Sequence, residues 1–288
     1  MTLKTAALVL LSLTSLSSIA QFRKYSNEFL NIGAGARGLA MGSAQVASVQ
    51  DGTAGYWNPA GLTAVENHPQ ANLMHAEYFA GIGKYDYVSL ALPTTGNKRT
   101  IGISALRFAV DDIMNTLFLV EPDGTVNYNN IQSFSSADYA FIVSLAQKLK
   151  ESSNKNINFG INAKVIHRSV GSFAKAWGFG LDAGLQIKTG NWHLGVAARD
   201  ITTTFNSWSF SFTEKEKEAN FQRALSDGDT LNQKKVWIYQ PSAGAGFRLQ
   251  NVRIDYAFTN LANQSNPLYT HVFSLQFDLV NDKSKKKK

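Results

Sequence analysis

From Trp177 to Lys188 the chain alternates large apolar with small or polar residues at twelve successive positions. One face carries Trp177, Phe179, Leu181, Ala183, Leu185 and Ile187; the other carries Gly178, Gly180, Asp182, Gly184, Gln186 and Lys188. A period of two puts successive side chains on opposite faces of an extended chain, so the segment predicts a strand with one apolar face. It is about twice as long as the usual soluble strand of roughly 5–6 residues.

The pattern recurs. Tyr139, Phe141, Val143 and Leu145 alternate with small or polar neighbours, with Ile142 as the exception. So do Ile157 to Val165, Trp192 to Ala198, Val252 to Phe258 and His271 to Leu279. Less regular strands fall near 71–80, 84–93, 100–110 and 241–249. These ten spans are each about ten residues long, the length with which a tilted strand crosses a bilayer. No apolar run reaches the ~18 residues of a transmembrane helix. The expected fold is all-β: an antiparallel transmembrane β-barrel of about ten strands in the outer membrane.

Connection lengths point the same way. Short links at 94–99, 150–156, 189–191 and 249–251 alternate with longer ones at 111–134, 202–240 and 260–269, while 81–83 and 169–175 are brief. Outer-membrane barrels have short periplasmic turns and longer outer loops. With the N-terminus in the periplasm, every long loop falls outside. A soluble β-sandwich also alternates faces, but here the polar face is rich in glycine rather than charge. Moreover Trp177, Trp192, Tyr139 and Tyr85 fall near strand ends, where interfacial aromatic girdles belong.

Residues 1–20 read as a secretory signal peptide: Lys4, a short apolar stretch from Ala6 to Leu13, and the small-x-small site Ser18-Ile19-Ala20. No cysteine occurs, which excludes disulfides, thiolate metal sites and a cysteine nucleophile. The net charge of +7 is concentrated at the ends. Lys4 and the tail 281–288 (five Lys, one Asp) account for six of 28 basic and one of 21 acidic residues, leaving 22 against 20. No basic face interleaved with aromatics remains, so nucleic acid is not an expected partner.

Between leader and strands lies Gly33 to Leu62, rich in Gly and Ala and closing on Tyr56-Trp57-Asn58-Pro59-Ala60-Gly61-Leu62. Such a segment can approach other backbone closely but would have a poor core of its own. We assign residues 21–68 as a hatch or plug inside the barrel, 69–280 as the barrel and 281–288 as a basic periplasmic tail. Gly33-Ala-Gly-Ala-Arg-Gly38 matches the dinucleotide fingerprint, with Asp51 at a suggestive distance, but no strand precedes it and no βαβ unit follows. The glycines read instead as turn and packing positions. Arg37, Asp51, Trp57, Asn58 and Pro59 are the hatch residues of interest, with Arg37, Asp51 and Asn58 expected to tie it to inward-facing charges.

Catalysis has no support. His68, His75, His167, His193 and His271 form neither an i, i+4 pair nor HExxH, and no G-x-S-x-G elbow occurs. Adjacent Asp111 and Asp112 belong to a solvated loop. No catalytic, cofactor or metal site is predicted. The inward face carries Lys164, Asp182, Lys188, Arg199, Arg248, Arg253, Asp255 and Asp278, readable as paired charges that hold register or as a solute-selecting lining. In a narrow, plugged lumen the first reading is preferred. In the loop 202–240, Phe205, Trp208, Phe210 and Phe212 either contact a partner or extend the barrel above the membrane.

Three stretches carry a family resemblance. They are Ala36 to Ala47 with Asp51 and Tyr56 to Leu62; Gly178 to Gly184 with Leu194 to Asn206 and Trp208; and Asp255-Tyr-Ala-Phe-Thr259. Together they resemble the PorV/PorQ family, FadL-like outer-membrane barrels associated with type IX secretion. The resemblance implies a non-enzymatic barrel with an N-terminal hatch, in contact with outer-membrane lipid and with secretion components or exported cargo. It also implies up to fourteen strands, against the ten counted here. FadL-like passive transport of hydrophobic molecules is the alternative role.

Overall fold

The computed structural model describes residues 27–279, apart from 122, 153, 203–204, 219–241 and 260–269. The leader, the basic tail and much of the 202–240 connection therefore lie outside the described residues. Eleven strands form one antiparallel sheet: β1 (Gln70–Tyr78), β2 (Gly83–Pro93), β3 (Arg99–Asn115), β4 (Gln132–Lys150), β5 (Lys155–Val170), β6 (Ala174–Thr189), β7 (Trp192–Ala198), β8 (Phe205–Phe210), β9 (Ser242–Leu249), β10 (Val252–Thr259) and β11 (Thr270–Asp278).

The first and last strands pair, from Gln70↔Asp278 to Glu77↔His271, so the sheet curls back on its own beginning. Pairing of that kind removes the edges of β1 and β11, while β7 and β8 at one end of the sheet and β9 at the other have no pairing between them among the described residues. The order runs β7-β6-β5-β4-β3-β2-β1-β11-β10-β9, with β8 also on β6. β7 pairs with residues 183–189 of β6 and β8 with residues 174–179, so the two occupy one lane beside β6.

The period-two expectation holds in detail. On the outward face Ile103, Phe141, Val143, Phe179 and Phe273 keep 50, 50, 57, 60 and 58% of their surface exposed. In water such a band would be a large apolar patch; in a bilayer it is the lipid-facing surface. The opposite face is buried and polar or small, with Ser89, Thr100, Ser144, Asn162, Lys164, Asp182 and Gln186 all nearly inaccessible. The fold is an antiparallel β-barrel of the outer-membrane kind.

Four expectations are corrected. The strand count is eleven among the described residues rather than ten, because Phe205 to Phe210 form β8 instead of loop. The 111–134 connection shrinks to 116–131: β3 continues through a bulge in which Asp111 and Asp112 face one residue of β4. Asp112 adopts φ +55° there, and Asp111 accepts from Lys84 Nζ at 2.9 Å, so the pair belongs to a strand. The bulge disrupts the period of two, which is why alternation stops being legible at Val110. Tyr85, assigned to an aromatic girdle, points inward and is fully buried. Trp177 and Tyr139 do flank His167 on the outward face, and Trp192 is 73% exposed at the other strand end.

Candidate functional site

The lumen is filled by the chain's own N-terminal segment. Residues 27–69 contain 3-10 turns at Glu28–Asn31 and Pro59–Ala64 and short helices at Ala36–Ala40 and Ala54–Trp57. Helices this short have no independent stability, so their order comes from the wall around them. Phe29, Leu39, Val49, Trp57, Ala60 and Leu62 are buried against it.

Glycine explains the fit. The fingerprint-like run is a cradle for Trp57: Gly33 and Gly35 take φ +117° and +82°, and a Cβ on Gly38 would stand 2.7 Å from the Trp57 ring. Trp57 Nε1 donates to Ala34 O at 2.7 Å. The wall supplies matching glycines on its inner face. A Cβ on Gly160 would stand 2.4 Å from the Pro59 carbonyl carbon, one on Gly184 2.0 Å from Asn58 Oδ1, and one on Gly195 2.5 Å from Val46 O. Where the wall alternates glycine inward, the plug backbone lies in contact with it.

Polar groups then serve the plug's backbone. Asn58 is wholly buried; its amide donates to Val46 O at 2.8 Å, Leu185 O at 3.2 Å and Val196 O at 3.3 Å, while its Oδ1 accepts from Ala60 N. Gln186 donates to Val46 O and Val49 O, and Asn162 to Gly55 O at 2.8 Å. Gln70 Oε1 accepts from Gly52 N. The expected ties through charge are thus replaced mainly by neutral amides. Asp51 stays within the plug, accepting from Thr53 N at 2.9 Å. Arg37 is exposed and lines a 270 Å³ cavity with Gly244, Gly246, Arg253 and Asp255.

Of the predicted lumen charges, Lys164 and Asp182 meet at 2.7 Å, and Lys164 also reaches Asp200 at 2.7 Å. Asp200, at φ +52° just past β7, is a member that sequence reasoning missed; its N–H donates to Asp182 Oδ1 at 2.9 Å. Arg199 donates to Tyr56 O at 3.4 Å and lies 5.2 and 5.7 Å from the Tyr56 and Trp57 ring centres. Burial pushes the Tyr56 phenol above its usual pKa, against the opposing pull of the Arg199 charge. Arg253 and Asp255 form a separate pair at 3.0 Å. Lys164, Asp182 and Asp200 thus pair with one another and Arg199 with the plug, while Arg253 and Asp255 border the cavity beside Arg37.

At the strand ends bearing loop 116–131, aromatic rings gather. Trp208, Phe210 and Phe212 stack at 6.0 Å spacings, Phe212 stacks on Phe173, and Phe173 meets Phe134 edge-on at 5.1 Å. Trp208 and Phe210 stand opposite Ala176 and Ala174, whose side chains face inward, so both rings belong to the lip of the mouth. Arg168 sits 5.4 Å over Trp208. Phe134, Phe173 and Phe212 border a 290 Å³ cleft with Met114 and Leu117. Among the described residues no group of three His, Asp or Glu side chains is placed to hold a metal ion.

No family model matches the chain, and no curated protein does. Similar solved structures include the TodX deltaS2S3 mutant monoaromatic hydrocarbon channel, at 10% identity and TM-score 0.49, covering 86% of this chain and 99% of that one. The Pseudomonas putida toluene transporter TodX follows at 9% identity and TM-score 0.32, covering 85% and 96%. The translocator domain of autotransporter NalP from Neisseria meningitidis has 10% identity and TM-score 0.27, covering 85% and 99%. The fold assignment rests on the chain's own strand order and surface. By those criteria the chain is an outer-membrane β-barrel whose lumen is occupied by its own N-terminal segment.

Proposed function

We propose that the chain is a non-enzymatic scaffold of the PorV/PorQ type, which assists type IX secretion or cell-surface attachment by binding a protein partner at its outer mouth. The observation that carries this reading is the seat of the plug. Glycine contacts from β5, β6 and β7 and the buried amide of Asn58 hold residues 46–60 against the wall. A passage running through that seat would have to break those contacts. The aromatic lip of Trp208, Phe210, Phe212, Phe173 and Phe134, together with loop 116–131, offers the partner surface. Large aromatic rings on a rigid rim supply binding area at low entropic cost.

Gentle solubilisation of outer membranes followed by copurification tests the proposal. Secretion components or exported cargo should accompany the barrel, and deletion should impair secretion. A barrel that purifies alone from cells whose secretion survives the deletion would sink the reading.

A further inference from the structure

A cavity of about 410 Å³ lies on the outward face, away from plug and mouth, lined by Leu73, Val88, Ala105, Phe141, Phe273 and Leu275. Its origin is one small residue. Cross-strand pairing sets Leu73, Val88, Ala105 and Phe141 side by side, and Ala105 leaves a furrow between larger neighbours. The next outward row is polar: His75, Asp86, Arg107 and Tyr139 stand in register on the same four strands. His75 Nδ1 lies 2.7 Å and Arg107 Nη1 3.3 Å from opposite oxygens of Asp86, and His75 Nε2 lies 3.7 Å from Glu77.

We propose that this furrow holds an acyl chain of a phosphate-bearing membrane lipid, with the phosphate against Arg107 and Tyr139. The furrow is continuous with the lipid-facing band, so hydrocarbon covers it whenever the barrel sits in a bilayer. Depth agrees. On β3 the outward residues between Arg99 and Arg107 are Ile101, Ile103 and Ala105. Eight residues at about 3.3 Å each, tilted by ~40°, rise roughly 20 Å, near the ~25 Å apolar band of such barrels. Arg107 thus stands at headgroup level.

Charge agrees as well. A guanidinium has five N–H donors in a fork that fits phosphate; Asp86 takes one and the Tyr139 hydroxyl engages the same guanidinium, which leaves further donors for a phosphate. The Asp86 carboxylate is occupied by His75 and Arg107, and Lys84 nearby is engaged by Asp111. Arg107 is therefore the cation turned toward the head of the furrow. The proposal rests on the membrane-facing reading of the outward surface.

Native mass spectrometry of the full chain in detergent tests it, with phosphatidylethanolamine and a diacylglycerol of identical acyl chains as probes. The phospholipid adduct should exceed the diacylglycerol adduct at least fivefold. Arg107→Gln should abolish that preference, Arg99→Gln at the opposite rim should preserve it, and Ala105→Phe should lower both adducts. Heat-modifiable gel mobility confirms that each variant is folded. Equal binding of the two probes, or an unchanged adduct in Arg107→Gln, overturns the proposal. A change in oligomeric state on Ala105→Phe with lipid binding intact would assign the furrow to a second copy instead. If neither probe binds the wild-type barrel, the proposal is overturned while the lipid-facing band stands on its own exposed residues.

Discussion

Gly184 and Asn58 meet where β6 touches the plug, and no side chain larger than hydrogen fits between them: a Cβ on Gly184 would stand 2.0 Å from Asn58 Oδ1. Asn58 is also the residue whose amide reaches the β6 and β7 backbone, so displacing it costs both packing and hydrogen bonds. Gly184→Val is expected to destabilise the plugged barrel by about 1–3 kcal/mol or more, the usual cost of overpacking. For a chain of this size each kcal/mol is worth roughly 2–4 °C. A fall of about 3–10 °C in the midpoint of heat-modifiable migration is the expected result; an unchanged midpoint would show that the plug can yield.

Asn58→Ala approaches the same contact from the other side. It leaves Leu185 O and Val196 O without their side-chain donor at a part-buried place, and Val46 O with that of Gln186 alone. Loss of a buried partner costs about 1–3 kcal/mol. Limited proteolysis should cut residues 41–50 faster in the variant, while strand fragments stay resistant.

Lys164 holds two carboxylates, Asp182 and Asp200, with only 4% of its side chain exposed. Lys164→Met takes the cation away from both, although Asp182 still accepts from Asn162 Nδ2 and Asp200 N, and should cost up to about 3–5 kcal/mol, the usual penalty for removing one partner of a buried pair. Adding Asp182→Asn should restore part of that loss. A double variant no better than Lys164→Met alone would contradict the pairing.

Loop 116–131 carries a pH dependence of its own. The amides of Asn127 and Asn130 hold the Glu121 carboxyl below its usual pKa, and the Thr125 hydroxyl and N–H do the same for Asp123. Folded-state values depressed in this way mean that the stabilisation is complete above the ordinary carboxylate pKa of about 4 and is lost as pH falls through the lowered values. Amide exchange in the loop, corrected for intrinsic rates, should be slower at pH 7 than below pH 4. Glu121→Gln should flatten much of that change.

The period of two was enough to place most of the wall, because a strand with one lipid face and one packed face leaves its mark on every second residue. The interruptions were not legible. Asp111-Asp112 hides a bulge behind two equal carboxylates, and in β8 only Trp208 and Phe210 keep the period of two, Phe205 falling out of step with them after the break at Arg199-Asp200. The plug's identity showed in its small residues, but its fastening did not. Gly160, Gly184 and Gly195 look like ordinary alternating glycines until Pro59, Asn58 and Val46, remote in sequence, are folded onto them. Tyr85 misled for a related reason: an aromatic near a strand end reads as a girdle, and only the three-dimensional course of the strand turns it toward Tyr78 and the plug.

Hydrogen–deuterium exchange of residues 54–64 in the membrane-embedded barrel tests the fixed plug most directly. The seat described here predicts exchange as slow as that of the β5 and β6 ladders, and much slower than that of loop 116–131. Exchange of residues 54–64 on the timescale of that loop would mean that the segment leaves its seat, and would contradict the scaffold account in favour of a gated passage.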